Sequence, residues 1–521
     1  MSNPSPVILW GPLVPVLIVA GAAVAGILVE AFVRTPATRR LVQSSLAIAA
    51  PGAAAIVAVL QWAVLKGDGA RIAGNYLVSD RQALAWQVIL ALFALMGMLL
   101  FASRTRDEDS FTPLASAAPG STEEALAAKR GFAQTEVFPL GLFAAAGMML
   151  FTMVSDTIVL FVVLEILSLP LYLLVGLARR RRLMSQEAAL KYFLMGAFAS
   201  AIYLFGASLL FGYAAKTSYA GIAGAVAAGF GREPLLLAGV ALMLVGLLFK
   251  LGAVPFHGWT PDAYQGAPTP VMAFMAAATK AAAAAALARL LYLALFGLAW
   301  ELAPVLWTVA IATMLLGTVV AIVQTDVKRM LAYSSIAHAG FLLVALTSFR
   351  GDALAAVPFY MLAYGLATLG AFAVVTQVRE RTPEGALGAE ATRLGQWAGL
   401  GRRAPWLAAA MALFLLSFAG IPLTAGFIGK FVAFRAAMDA GAWPLVLVAV
   451  LASAAAAFFY VRLIVLMFLT PVPPELEDSV EATNATGPWL VMVIAAAGTI
   501  ILGVLPSPVL DLAHQAAILV P

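Results

Sequence analysis

Six residues stand out as candidate proton carriers within long apolar stretches of this sequence, where a charged group costs about 2.5–3.5 kcal/mol on membrane-insertion scales. Lysine, glutamate and histidine can each take up and release a proton, and burial shifts the balance between their charged and neutral forms. Several such groups at separate positions favour a relay that passes protons over a single site that binds one ion. The six residues are Glu165, Lys191, Lys250, Lys280, His338 and Lys430.

Each of these residues also has a purely structural interpretation. Lys191 stands near the start of its apolar stretch, so its stem can carry the ammonium to the lipid headgroups. His338 alone is compatible with a packed, hydrogen-bonded histidine, and a structural salt bridge is the alternative for Glu165, Lys250 and Lys280. An approaching carboxylate stabilises the proton on a buried lysine, so Glu165 beside Lys250 would form a switch. Structural roles are favoured for Arg289, Arg435 and Arg462.

The composition indicates that lipid is the solvent for much of the chain. Hydrophobic residues make up 63% and charged residues 11% of the 521 residues, whereas soluble domains have about 45–50% and 25%. Cysteine is absent, which excludes disulfides, cysteine-ligated iron–sulfur clusters and thiolate zinc sites. With only three histidines, we expect no cofactor and no redox centre in this chain, and nothing points to nucleic acid.

Apolar runs long enough to cross a bilayer recur along the whole sequence. They are continuous rather than alternating, so they predict transmembrane helices and not a barrel. The first run lacks a preceding basic region and is read as a span rather than a cleaved signal peptide. The fourteen predicted spans are 7–33, 41–65, 82–103, 137–154, 156–177, 188–213, 235–257, 268–297, 302–323, 329–348, 355–378, 405–438, 443–469 and 488–510.

The distribution of lysine and arginine between the loops predicts the orientation. Loops after odd-numbered spans contain 18 of these cations and loops after even-numbered spans contain 6. The positive-inside rule places the rich face in the cytoplasm, so both termini are expected outside. The polar segments 104–136 and 379–404 are expected to be cytoplasmic connectors without a fold of their own. The acidic segment 471–487 is expected on the outer face.

Two of the predicted spans contain helix-breaking residues beside a lysine. KLGAVP (250–255) and LSFAGIPLTAGFIGKF (416–431) place glycine and proline close to Lys250 and Lys430, and the alternative for each is an ordinary proline kink. Breaks in corresponding places of two halves are typical of inverted-repeat transporters. We therefore predict an all-α membrane protein with two inverted five-helix repeats, 137–297 and 298–470. An N-terminal segment, 1–136, and a last helix in 471–521 flank them.

Several long motifs resemble those of the antiporter-like membrane subunits of respiratory complex I (NADH-quinone oxidoreductase), and most of all those of its subunit N type. The resemblance covers about residues 137–470. The motifs are VPFHGWTPDAYQGAPTPVMAF (254–274), LEILSLPLYLLVG (164–176), EAALKY (187–192), TDVKRMLAYSSIAHAGFLLVAL (325–346) and SFAGIPLTAGFIGKF (417–431).

The resemblance implies roles for five of the six residues. Glu165 is similar to the glutamate that pairs with the lysine of the first broken helix, here Lys250. Lys280 is similar to the central lysine of the next helix, and His338 to a polar relay member. Lys430 is similar to the lysine of the second broken helix, taken as the terminal site towards the outer face.

The resemblance also implies the setting of the chain. It would be one subunit of a hetero-oligomeric translocase in the inner membrane of a bacterium, beside an antiporter-like M subunit and small K, J and A-type subunits. FMN, iron–sulfur clusters and the NADH site would belong to partner subunits. Two alternatives stay open: a subunit of an Mrp-type cation/proton antiporter, and an inert membrane scaffold.

Overall fold

The computed structural model describes residues 8–520, except 66, 75, 107, 120, 131, 230, 232, 382–385 and 477–478. Helices dominate this part of the chain. They are α1 (Val14–Phe32), α2 (Pro36–Val64), α3 (Arg81–Ala102), α4 (Thr122–Lys129), α5 (Val137–Phe151), α6 (Thr157–Val175), α7 (Arg182–Ala214), α8 (Tyr219–Ala228), α9 (Glu233–Leu251), α10 (Trp259–Gly266), α11 (Thr269–Phe274), α12 (Lys280–Arg289), α13 (Ala299–Ile322), α14 (Val327–Leu346), α15 (Gly351–Gln377), α16 (Leu400–Arg403), α17 (Pro405–Ala419), α18 (Ala425–Asp439), α19 (Trp443–Phe468), α20 (Thr486–Val504) and α21 (Ser507–Gln515).

Twelve helices in the described residues are long and apolar enough to cross a membrane, and they coincide with twelve of the predicted spans. The other two predicted spans form shorter apolar helices. The stretch 137–154 contains α5, and the stretch 405–438 is divided into α17 and α18. The chain is therefore a multi-pass membrane protein of helical architecture, as its hydropathy predicts.

Both predicted helix breaks are present. The first separates α9 from α10, and Gly252 at the end of α9 has a positive φ of 76°. The second separates α17 from α18, where Gly420 has a φ of 81°. A third irregularity was not predicted: the π-helical segments Met275–Thr279 and Leu290–Ala294 flank α12. π-Turns of this kind occur often at functional sites, and Lys280 directly follows the first of them.

The helix that contains Lys280 lies in the middle of the fold. The apolar core of Thr269–Ala294 is completely buried, and those of α14 and α15 are 89% and 94% buried. The apolar cores of the N-terminal helices α1 and α2, by contrast, are only 28% buried. A polar side chain on α12, α14 or α15 therefore faces other helices and not lipid.

The loops after odd-numbered spans meet on one face of the molecule, which we call the cation-rich face. Strands β3 (Val378–Arg381), β4 (Leu387–Glu390) and β5 (Val480–Ala482) form an antiparallel sheet there in the order β4-β3-β5. The predicted outer placement of 471–487 is thus wrong, because β5 pairs with β3. The segment follows the thirteenth span, and an odd number of crossings returns the chain to the cation-rich face. The supposed connectors also contain structure, namely α4, β3, β4 and α16.

The opposite face gathers the loops after even-numbered spans. The hairpin β1 (Gly69–Ile72) and β2 (Leu77–Asp80) lies there. The carboxylate of Asp80 caps α3 and forms a buried ion pair of 2.5 Å with Arg289 at the end of α12. The backbone N–H of Val520 donates to the same carboxylate at 3.1 Å. The alternation of loops between two faces agrees with the predicted number of crossings.

Candidate functional site

Lys250 ends in a pocket of aromatic side chains at the break between α9 and α10. Its ammonium donates to the hydroxyl of Tyr192 at 3.0 Å. The same nitrogen lies 5.1 Å from the ring centre of Tyr192 and 5.4 Å from that of Tyr172. The negative faces of these rings attract a cation. Lys250 is buried, so the tyrosines take over part of the stabilisation that water would otherwise give to its charge.

Glu165 approaches this pocket from α6 but does not complete an ion pair. Its carboxylate is close enough to interact electrostatically with Lys250 and Tyr172. Its Oε1 atom is buried and accepts no hydrogen bond from any residue that the structure describes. A buried polar atom without a partner carries a desolvation penalty. The arrangement leaves Glu165 free to bind a proton donor that approaches it, which the switch between Glu165 and Lys250 requires.

Lys280 lies on the other side of the same helix break. A Cβ placed on Gly252 would be 4.0 Å from its ammonium nitrogen and 3.0 Å from the Thr260 hydroxyl. The glycine therefore allows α9 to end close to Lys280. The ammonium donates to the backbone carbonyl of Ser335 in α14. Lys280 is buried and, among the described residues, forms no salt bridge, so a neutral oxygen is its main partner.

Two neighbouring serines of α14 continue the polar path in different directions. The Ser335 hydroxyl shares a hydrogen bond of 2.6 Å with the hydroxyl of Tyr264 in α10. The Ser334 hydroxyl bonds to that of Tyr460 in α19. Hydroxyl groups both donate and accept hydrogen bonds, so they can pass protons by exchanging these roles. The pair of serines thus connects the Lys280 region to a second cluster of tyrosines.

His338 lies at the centre of that second cluster. Its Nδ1 atom shares a hydrogen bond of 2.7 Å with the Tyr360 hydroxyl, and its Nε2 atom lies 3.3 Å from the Tyr460 hydroxyl. Either ring nitrogen can be the donor, depending on the tautomer. The ring of Tyr364 packs against the imidazole with centres 4.8 Å apart. A histidine that bonds on both sides can receive a proton at one nitrogen and release one from the other.

Lys430 occupies the second helix break. Its ammonium donates to the carbonyls of Phe418 and Ala419 at 2.7 and 3.2 Å and to the Ser453 hydroxyl at 2.7 Å. These carbonyls belong to the last turn of α17, which ends at Gly420 and leaves them without partners in the helix. The negative end of a helix dipole stabilises a cation. The break thereby creates the binding site for this ammonium.

An aromatic bridge joins Lys430 to His338. The Lys430 nitrogen lies 4.9 Å from the ring centre of Phe341, and the rings of Phe341 and His338 are 5.5 Å apart. Phe418, which supplies a carbonyl to Lys430, packs its ring 5.6 Å from that of His338. The two ionisable groups are neighbours, but aromatic carbon separates them, so a proton would need a hydrated gap between them.

Lys191 lies apart from these residues. Its side chain is 46% exposed and pairs with Glu187 at 2.7 Å and Asp262 at 3.0 Å. Asp262 in turn pairs with Arg329 at 3.0 Å, so Lys191 belongs to an ion-pair network near the cation-rich face. The other five predicted residues follow one another through the interior, and we call these five and their connecting hydroxyl groups the buried file.

The hydroxyl groups of the file are not identified by the sequence alone. A tyrosine in an apolar helix is ordinary, and its hydroxyl gives no signal unless the facing residue is known. The one available signal is that several of these groups lie inside the family-like motifs. Those inside the motifs are Tyr172, Tyr192, Tyr264, Ser334 and Ser335, and those outside them are Tyr360, Tyr364, Ser453 and Tyr460. Across the described ranges, no group of three acidic, histidine or cysteine residues could hold a metal ion.

Comparison with known proteins gives a consistent result. Residues 154–456 match the family model described as NADH:quinone oxidoreductase/Mrp antiporter, TM. NADH-quinone oxidoreductase subunit N of Beutenbergia cavernae is 54% identical over 99% of both chains. The chain belongs to the NADH-quinone oxidoreductase subunit N family. The Rhodococcus opacus subunit N is 50% identical over 99% of this chain and 97% of its own. The predicted family is confirmed.

Solved structures of this family share the fold. A chain of respiratory complex I from Thermus thermophilus with bound aureothin has a TM-score of 0.76 and 33% identity, covering 96% of this chain and 99% of its own. A chain of the Mrp complex from Dietzia sp. DQ12-45-1b has a TM-score of 0.78 at 22% identity, with 97% of each chain covered. The second likeness shows the fold alone. The subunit N assignment is therefore better supported than the Mrp alternative.

Proposed function

We propose that this member of the subunit N family moves protons across the membrane along the buried file, as a subunit of NADH-quinone oxidoreductase. The observation that carries the proposal is the succession of buried ionisable side chains through the interior. Lys250, Lys280, His338 and Lys430 are all buried, and the hydroxyls of Ser334 and Tyr460 lead from the helical turn beside Lys280 to His338. A chain that only filled the membrane would gain nothing from burying four such groups against their cost in lipid.

The first step is a change at Glu165 and Lys250. When the carboxylate moves towards the ammonium, Coulomb attraction holds the proton on Lys250. When it moves away, Lys250 keeps only the Tyr192 hydroxyl and the two aromatic rings, and burial then favours release of the proton. Movement of neighbouring subunits, driven by quinone reduction elsewhere in the complex, would change this distance.

The released proton continues towards Lys430. It passes beside Gly252 to Lys280, and from there through the Ser335, Ser334 and Tyr460 region to His338. His338 receives it and returns a proton on the side of Tyr360 or Phe341. Lys430 is the terminal site, where the carbonyls of α17 hold an ammonium without a fixed countercharge. Water supplies the links where no hydroxyl is present.

The cellular setting belongs to the same proposal. The chain lies in the inner membrane of a bacterium with its cation-rich face in the cytoplasm and both termini outside. Its repeats are 137–297 and 298–470. It assembles with antiporter-like M and small K, J and A-type subunits, and FMN and the iron–sulfur clusters lie in partner subunits. The chain itself supplies proton-carrying side chains and no redox centre.

Arginine substitutions provide the sharpest test. Lys250→Arg and Lys280→Arg keep a positive charge but remove a group that can release its proton, because arginine stays protonated in proteins. Removing a positioned proton carrier typically costs about 100-fold or more in rate, so proton pumping per NADH in membrane vesicles should be lost. Lys191→Arg, outside the file, is the matched control and should pump normally. Normal pumping by both buried variants would refute the proposal.

A further inference from the structure

Lys328 is a buried lysine that the file does not use. It lies in the first turn of α14, near the cation-rich face, and is 3% exposed. Its ammonium donates to the carbonyl of Ala267 at 3.1 Å and to the hydroxyl of Thr269 at 3.2 Å, in the link between α10 and α11. Both partners are neutral. Burying an ammonium whose hydrogen-bond partners are all neutral costs free energy. The charged groups around Lys328 therefore decide how well its charge is stabilised.

The nearest carboxylate is Glu390 in strand β4. It interacts electrostatically with Lys328 and forms an ion pair of 3.2 Å with Arg379 in β3. Its side chain is 16% exposed, so solvent reaches part of it. The other charged groups that act on Lys328 are Asp326, Arg181 and Arg379. Of the two carboxylates in this set, Glu390 has the larger electrostatic effect on Lys328 and lines the same cavity, whereas Asp326 accepts the backbone N–H of Arg329 as the cap of α14.

A small polar cavity lies between these residues. It has a volume of about 20 Å³, and Glu390, Lys328, Gln265 and Arg180 are among the residues that line it. A cavity of about 10–15 Å³ on this measure is enough for one water molecule, provided that polar partners surround it. The cavity therefore offers room for a water that connects the carboxylate to the ammonium.

The inner side of Lys328 leads to the file. Lys328 and Ser335 are seven residues apart in α14, which places them on the same side of the helix about 10 Å apart along its axis. Ser335 holds the ammonium of Lys280 with its carbonyl and the hydroxyl of Tyr264 with its own hydroxyl. Tyr264 is one helical turn before Ala267, which accepts from Lys328. Tyr264 thus connects Ser335 to the helical turn that accepts a hydrogen bond from Lys328.

We propose that Glu390 and Lys328 form a proton-uptake port that takes protons from the cation-rich face and delivers them to Lys280. The proposal rests on the proton-moving function proposed above. The Glu390 carboxylate takes a proton from solvent, and the resulting carboxylic acid donates it, through one water, to the neutral amine of Lys328. Lys328 then donates a proton towards Tyr264 and Lys280 and returns to the amine. No electron moves, and Glu390 ends as the carboxylate.

A proton-carrying Glu390 and a purely structural Glu390 predict different effects of an added weak acid on a Glu390 variant. If Glu390 only held Arg379 in place, Glu390→Gln, which retains an oxygen acceptor, would leave turnover unchanged or would damage assembly. If Glu390 carries protons, Glu390→Gln removes the titratable group while the sheet survives. A small weak acid that enters the cavity, such as formic acid, should then replace the missing carboxyl.

The experiment uses the whole complex in membrane vesicles with an uncoupler present, so that formate cannot act by collapsing a proton gradient. Glu390→Gln should lower NADH:quinone turnover about 3- to 10-fold, less than the loss of a positioned base with no bypass, and formate should restore it. Glu481→Gln is the matched control, because Glu481 lies in β5 of the same sheet and pairs with Arg381 at 3.3 Å, and neither residue is among those that line the cavity. It should turn over normally with or without formate.

Two outcomes would overturn the port. One is a turnover rate in Glu390→Gln that equals that of the unmodified complex at every pH between 6 and about 9, a range over which the proton concentration in solution falls steeply. The other is a loss in a fully assembled complex that formate does not restore. Lys280→Arg, measured alongside, separates the two proposals: if it abolishes pumping while Glu390→Gln behaves normally, only the port fails, and if it pumps normally, the proposed function fails.

Discussion

The ammonium of Lys250 is held by the hydroxyl of Tyr192 at 3.0 Å and not by the carboxylate of Glu165. Glu165 acts on Lys250 only through space, and its Oε1 atom accepts no hydrogen bond within the described part of the chain. The structure therefore shows the open arrangement of the pair. In the closed arrangement the Glu165 carboxylate would pair with the Lys250 ammonium, and the side chains around the pair should govern how readily that state forms.

The two tyrosines around Lys250 are expected to differ in importance. Tyr192→Phe removes the hydroxyl that accepts from the buried ammonium, which should destabilise the charged lysine by about 1–3 kcal/mol and slow pumping. Tyr172→Phe keeps the ring, which is the only part of Tyr172 that contacts the ammonium, and should pump at close to the normal rate. Proton/electron stoichiometry in vesicles distinguishes the two. Equal effects would mean that the hydroxyl of Tyr192 has no special role.

Gly420 is expected to control the position of Lys430. Gly420→Ala introduces a Cβ only 3.0 Å from Lys430 Cδ, at a φ of 81° that disfavours alanine. Gly441 has a φ of 80°, but a Cβ placed on it would have no atom within 4 Å, so Gly441→Ala carries the same backbone cost of about 1–2 kcal/mol without the contact. Both variants should lower thermal stability slightly, and only Gly420→Ala should reduce pumping per assembled complex. A similar loss in both would attribute the effect to the backbone.

The ion pair between Arg289 and Asp80 is expected to be structural. Arg289→Ala leaves a carboxylate that is 0% exposed without its partner, which should cost about 3–5 kcal/mol and reduce the amount of assembled complex. The complex that does assemble should pump normally, because Arg289 lies outside the file. Arg435→Ala is the control: its pair with Asp439 spans 3.6 Å and Arg435 is 71% exposed, so the change should cost less than about 1 kcal/mol.

Acidification should loosen the sheet on the cation-rich face. Burial opposes ionisation of Glu390, but Arg379 and Lys328 outweigh it and hold the pKa of this carboxyl below its usual value. A lowered pKa in the folded state means that the Arg379–Glu390 pair stabilises the fold above the unfolded pKa of about 4.3 and loses this contribution as the pH falls through the folded value.

Hydrogen exchange of peptides from β3 and β4, corrected for the intrinsic pH dependence of the exchange rate, measures this effect. Protection should be constant near neutral pH and fall below about pH 4. The Glu390→Gln protein should show lower protection at neutral pH and no further loss on acidification. Protection that falls equally in both proteins would assign the acid sensitivity to other carboxylates.

The sequence predicted the ionisable members of the file because their cost in lipid makes them conspicuous. Lys250, Lys280, His338 and Lys430 are all buried in the interior, and both breaks occur where glycine and proline indicated them. The sequence did not predict the partners, since which residue of one helix faces which residue of another depends on packing angles. The Tyr192 hydroxyl and the carbonyls of Phe418 and Ala419 acquire their importance only through that packing.

Two lysines show the limit of reasoning from position along a span. Lys328 counts among the loop cations by its place in the sequence, yet it is 3% exposed because the α10–α11 link packs over the start of α14. Lys191 lies nine residues after the start of α7 at Arg182 and is nevertheless half exposed. Distance from the end of an apolar run gives depth in the membrane, whereas exposure depends on which neighbour covers that face.

The pairing of β5 with β3 ties two distant parts of the chain together. Strand β3 continues directly from α15, and β5 is joined to α20 by a short segment. The backbone hydrogen bonds between the two strands therefore link the ends of these two spans. α15 contains Tyr360, which shares a hydrogen bond with His338, and β4, which pairs with the other side of β3, contains Glu390. A tilt of the final span would therefore move the end of α15 and the sheet on the cation-rich face together.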